Sequence, residues 1–126
     1  MSEEFVPRDR LLLVSISKTI KTLSVYDATR YAWPVDRRRA EEVDYVLGCD
    51  RGIVKGVFVA DRWLDASPEA TERNFPGFKA THKGRRWGFE GKEADETAQR
   101  KYLEKRVPNR LAIGQTGFRY FDDLAT

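Results

Sequence analysis

From Tyr45 to Ala60 the chain runs apolar as far as Cys49, turns through Asp50, Arg51 and Gly52, and resumes as a second apolar segment from Ile53. Two β-prone runs joined by so short a turn form a β-hairpin. Gly52 supplies the positive φ that the turn requires. Gly48 and Gly56 leave the strands bare where another backbone or a ligand can approach.

A second strand is written upstream. Leu11 to Ser17 is continuous and β-rich, the pattern of a central strand covered on both faces. Its apolar part lies between charged Arg8, Asp9, Arg10 and Lys18 and is far shorter than the roughly 20 residues of a membrane span, so no membrane association is expected. Residues 1–10 are polar and acidic at their start and are expected to form a loose lead-in to one domain over 11–126. A chain of 126 residues that is 40% hydrophobic supports one core and not two.

Helix signals fill the intervals. Ser24 is placed to cap a short helix over 25–31, ended by Pro34, and Asp36 to cap another through Arg39 and Ala40 to Val43. Three arginines, Arg37 to Arg39, oppose the dipole at the start of that second helix, a cost better spent if they meet an anion. Residues 65–83 hold Pro68, Pro76 and Gly77 without a sustained period and are expected to form a long surface loop. Trp87 to Glu90 is a short strand, 95–106 a helix capped by Asp95, and Gly117 to Phe121 a closing strand. The expected class is α+β, a mostly antiparallel curved sheet or small open β-barrel with short helices at its ends.

Net charge is +3, but its distribution is uneven. From Lys79 to Arg110 ten basic residues stand against five acidic ones, whereas residues 1–78 are near neutral. A local basic excess favours a phosphate backbone over a neutral small molecule. Cys49 is the single cysteine, so no intrachain disulfide forms and a reducing cytoplasm is the expected setting.

Each tryptophan has an arginine within three residues: Arg30 before Trp33, Arg62 beside Trp63, and Arg85 and Arg86 beside Trp87. Aromatic faces next to cations hold nucleobases by stacking and by attraction to phosphate. Trp63 and Trp87 flank the 65–83 loop, which favours them over Trp33, and strand alternation puts Trp87 and Phe89 on one face. That face is either core or pocket. Gln115, in the lead to the last strand, adds an amide able to read a base edge or to satisfy loop backbone.

Three other chemistries are open to these residues. Glu90 and Lys92 have the Glu-x-Lys spacing of a metal-dependent nuclease strand, with Asp50, Asp61 or Asp65 as a second ligand, although such spacing also arises by chance on a charged surface. His82 is the only histidine, a general base or an ordinary loop residue, and alone it builds no histidine zinc site. Cys49, at a strand end, fits a small buried hydrophobe. No cofactor is called for.

The order of elements, with the hairpin of Tyr45 to Ala60, a ligand-scale loop and aromatics at strand ends, resembles the PUA-like superfamily that includes EVE, ASCH and YTH domains. The segments DYVLGCDRGIVKGVFVADRW and RRWGFEG are also similar to small prokaryotic domains that stand alone or beside nucleases in defence systems. The resemblance covers Leu11 to Phe121 and implies RNA or modified-base binding in an aromatic-lined pocket near Trp63, Trp87 and Phe89. The expectation is a non-enzymatic nucleic-acid or modified-nucleotide binding module, with Trp63, Trp87 and Phe89 stacking a base, Arg62, Arg85 and Arg86 on the rim, and Gln115 beside them. Its alternatives are a nuclease using Glu90 and Lys92 and an interaction subunit whose basic surface meets an acidic protein.

Overall fold

The hairpin forms as its turn chemistry requires. In the computed structural model, which describes residues 3–122, Arg51 and Gly52 have φ of 53° and 79°, so both central turn positions are left-handed as in a type I′ turn. The turn joins β2 (Tyr45–Asp50) to β3 (Ile53–Asp65), and Ser17 Oγ accepts the Arg51 amide at 3.2 Å. Upstream lie β1 (Leu11–Ser15), α1 (Val25–Arg30) and α2 (Arg37–Glu41). Downstream follow α3 (Pro68–Asn74), β4 (Trp87–Glu93), α4 (Glu96–Tyr102), a 3-10 turn at Asn109–Leu111 and β5 (Phe118–Phe121).

Among the described residues the strands form one five-stranded sheet in the order β4, β3, β2, β1, β5. The class is α+β, but the sheet is open and mixed, which corrects the open-barrel alternative. β1 and β2 run parallel, with Leu11 opposite Tyr45 and Ser15 opposite Cys49. Parallel strands need a crossover, and α1 and α2 supply it. The other three pairings are antiparallel.

The predicted caps hold both crossover helices. Ser24 Oγ accepts the Asp27 amide at 3.1 Å, and an Asp36 carboxylate oxygen accepts the Arg38 amide at 3.0 Å. α1 stops before Pro34 acts, because Tyr31 is extended and Ala32 has a φ of 68°. α4 is likewise shorter than expected: Leu103 turns extended and Glu104 takes a φ of 63°.

β1 is buried on both faces, and its alternation feeds two cores. Leu11 and Leu13 pack with Leu47, Val57, Ala98 and Tyr102 under α4, whereas Leu12 and Val14 pack with Ala28, Ala40, Phe58 and Phe89 under α1 and α2. Each buried leucine, valine or phenylalanine among them contributes about 1.5–3 kcal/mol by leaving water.

Two segments differ from expectation. The 65–83 stretch contains α3, begun by Pro68 at its first turn and anchored by buried Ala70 and Thr71, since proline is tolerated there. The lead-in is tied down: Phe5 is 2% exposed and meets Tyr102 edge-on at 5.2 Å, and its amide donates to the Arg106 carbonyl at 3.1 Å. No helix among the described residues is long and apolar enough to cross a membrane.

Candidate nucleic-acid interface

The three tryptophans separate by depth. Trp63 is 7% exposed and Phe89 fully buried; their rings meet at 5.2 Å within the core under α1 and α2. Neither is open to stack a base, so the expected pocket of Trp63, Trp87 and Phe89 is not assembled. The physical cause is a register shift between Ala60 and Arg62, where β3 bulges against β4. One inserted residue reverses the alternation, so Phe58 and Trp63, five positions apart, serve the same core. Tyr26 of α1 locks the irregularity, its hydroxyl accepting the Gly91 amide at 3.0 Å and donating to the Gly91 carbonyl at 3.1 Å.

Trp87 and Trp33 lie half-buried at the margin of that core. Their backbones exchange hydrogen bonds of 2.8 and 2.9 Å, and the Trp33 indole nitrogen donates to the Thr29 carbonyl at 2.7 Å. The cation over Trp87 is not a sequence neighbour. It is Arg37, whose guanidinium carbon lies 5.1 Å from the ring centre. Arg86 points elsewhere, donating to the Ala32 carbonyl at 3.3 Å beside Trp33, and Arg85 is exposed.

The same helix makes a second ring contact. The Arg39 guanidinium carbon is 4.2 Å from the centre of the Tyr120 ring, while its Nε donates to an Asp122 carboxylate oxygen at 2.9 Å. That bond holds the Asp122 carboxyl below its ordinary range and raises Arg39, and burial pushes Tyr120 up to about 12. Among the described residues Arg37, Arg38, Arg85 and Arg86 stand in no ion pair within 4.0 Å, whereas Arg30, Arg39, Arg62, Arg100 and Arg106 do. Four of the arginines without an ion pair among the described residues thus lie on α2 or just before β4, while Arg8, Arg10, Arg73, Arg110 and Arg119, also without one, lie elsewhere.

The remaining predicted residues fall outside this face. Arg62 is paired with Glu90 on the opposite strand at 2.7 Å, which lowers the Glu90 carboxyl, and Lys92 lies 3.6 Å from Asp61. The nuclease pair is thus built into two cross-strand ion pairs, and among the described residues no three His, Cys, Asp or Glu side chains gather to hold a metal. Gln115 is exposed in the turn before β5. His82 Nε2 is 2.8 Å from the Ala66 carbonyl, pinning its loop next to Tyr31, whose hydroxyl shares a 2.8 Å bond with Thr71. Cys49 is buried, and desolvation pushes its thiol up to about 12, far from the range of a nucleophile.

Among the described residues, two of the surface clefts have no tryptophan in their lining. One of about 500 Å³ lies along β3 and β4 between Tyr26 and Leu103 and includes Lys92. The other, of about 450 Å³, lies at the ends of β1 and β2.

The sequence marks Arg37 to Arg39 as suited to an anion, from their place at the wrong end of a helix, but gives no sign that Arg37 meets Trp87, and Tyr120 is missed altogether. Comparison of the chain with protein-family models, with curated proteins and with solved structures gave no match.

Proposed function

We propose that the protein is a nucleic-acid-binding module that performs no chemistry and works through the face where α2 meets the start of β4. The observation that carries this reading is the Arg37 guanidinium over the Trp87 ring at 5.1 Å. Such a layered pair offers its outer plane to an unpaired base, which stacks on arginine much as on an aromatic ring. Each stacked base contributes about 1–3 kcal/mol. Arg38, Arg85 and Arg86, without ion partners among the described residues, take the adjacent phosphates. The resemblance of the element order to PUA-like domains implies the same class of ligand.

The test is a titration of labelled single-stranded RNA and DNA, followed by fluorescence anisotropy at about 50 and about 200 mM salt. Saturable binding that weakens with salt and is lost in Arg37→Ala is the expected result. An absence of binding to every oligonucleotide at the lower salt removes the proposal.

A further inference from the structure

The 450 Å³ cleft lies outside the α2 and β4 face and shares no residue with it. β1 and β2 run parallel and end side by side, Ser15 opposite Cys49, and the cleft opens just beyond their carboxyl ends. Crevices in that position are where open sheets with parallel strands receive ligands. Its volume is within the range of small-molecule sites.

Three separate segments converge to shape it. The Arg51 amide donates to Ser17 Oγ at 3.2 Å, tying the hairpin turn to the segment after β1, and the Val107 amide donates to the Gly52 carbonyl at 2.7 Å, tying the same turn to the segment after α4. The walls are therefore held together by hydrogen bonds between segments distant in sequence.

The lining is chemically lopsided. It includes two arginines, Arg51 and Arg106, and no aspartate or glutamate. Val107, Ile113 and Cys49 supply apolar surface, and Asn109 supplies an amide. Both guanidiniums have their acidic partners outside the lining: Arg51, its side chain 83% exposed, is 4.0 Å from half-buried Asp50, and Arg106, 50% exposed, is 3.2 Å from Glu4. Ion pairs made by arginines that open to solvent contribute little and leave the guanidinium available to a better anion.

We propose that this cleft binds a nucleoside monophosphate. Arg51 and Arg106 take the phosphate, whose oxygens match the guanidinium fork. The flat heterocycle rests on Val107 and Ile113, and Asn109 meets its polar edge with one donor and one acceptor. This site stands whether or not the Arg37 face binds nucleic acid, because the two use different residues.

The experiment titrates the isotope-labelled protein with AMP, GMP, CMP and UMP, with the matching nucleosides, and with inorganic phosphate, following backbone amide resonances. The expected result is a saturable shift at Ser15, Ser17, Asn109 and Gly114 for at least one monophosphate, with nucleoside and phosphate each at least about tenfold weaker. Arg51→Gln and Arg106→Gln each weaken that binding about tenfold without changing the spectrum elsewhere, and Trp87→Ala leaves it unchanged. Absence of saturable shifts up to millimolar ligand, or binding indifferent to both arginine variants, overturns the site. Equal binding of the nucleoside overturns the role of the arginines, and equal binding of inorganic phosphate overturns the nucleotide.

Discussion

Arg37, the first residue of α2, lies with its guanidinium 5.1 Å from the ring centre of Trp87, the first residue of β4. Fifty positions separate them in sequence. The contact exists because the crossover helices lie on the same sheet face as the ring, so one tryptophan sits beneath a cation while another, Trp63, is closed into the core.

That difference separates stability from binding. Trp63→Ala is expected to destabilise the fold by about 3–5 kcal/mol, the cost of a large buried cavity. Trp87→Ala costs less and leaves a folded protein that has lost oligonucleotide affinity. Chemical denaturation and anisotropy on the same preparations check both; a Trp63 variant as stable as the parent refutes the assignment of depth.

Phe5 makes the N-terminal segment part of the core, against Tyr102. Asp9 accepts from the Tyr102 hydroxyl at 2.5 Å and from Lys101 at 3.2 Å, closing the same junction. Phe5→Ala is expected to cost about 3–5 kcal/mol, measured as a shift of the denaturant midpoint at constant m. A loss below about 1 kcal/mol would mean that the segment is only laid on the surface.

Alkaline pH tests the buried thiol. Burial raises Cys49 from 9.0 to about 12, and it raises Tyr102 and Tyr120 above their usual 10.0. A group whose folded pKa is raised keeps its full stabilisation below its unfolded pKa and loses it as pH climbs toward the folded value. Stability should therefore be flat below about pH 8.5 and then fall, Cys49 first at up to about 1.4 kcal/mol per pH unit, with the tyrosines joining above about 10. Cys49→Ala removes the early part of the decline. Denaturation curves between those limits that match for parent and variant would contradict this.

Gly48 and Thr29 are a coupled pair. A Cβ on Gly48 would stand 2.1 Å from Thr29 Oγ1, which is itself bound to the Val25 carbonyl at 2.7 Å. Gly48→Ala is expected to cost about 1–3 kcal/mol by overpacking, and Thr29→Ala to relieve most of that, giving a coupling of at least about 0.5 kcal/mol in a double-mutant cycle. Strict additivity would show that α1 shifts instead.

Much of the fold was legible because its determinants are local. The hairpin turn at Arg51 and Gly52, the caps at Ser24, Asp36 and Asp95, and the order of strands and helices all follow from residues within a few positions of one another. α3 escaped because Pro68 signals a loop and a helix start equally, and only burial of Ala70 and Thr71 distinguishes them.

The candidate sites were legible only as ingredients. Sequence determined that arginines and tryptophans were abundant, that a basic stretch followed Lys79, and that β1 would be covered on both faces. Tertiary structure decided that β1 and β2 are parallel, which rings are closed in, and which cation meets which ring. Side-chain direction depends on strand phase, and the bulge between Ala60 and Arg62 reverses that phase by one residue with no unambiguous local signal. The Arg37 and Trp87 pair and the cleft between Arg51 and Arg106 then arise from strand order and crossover, long-range choices that burial of two sheet faces makes together.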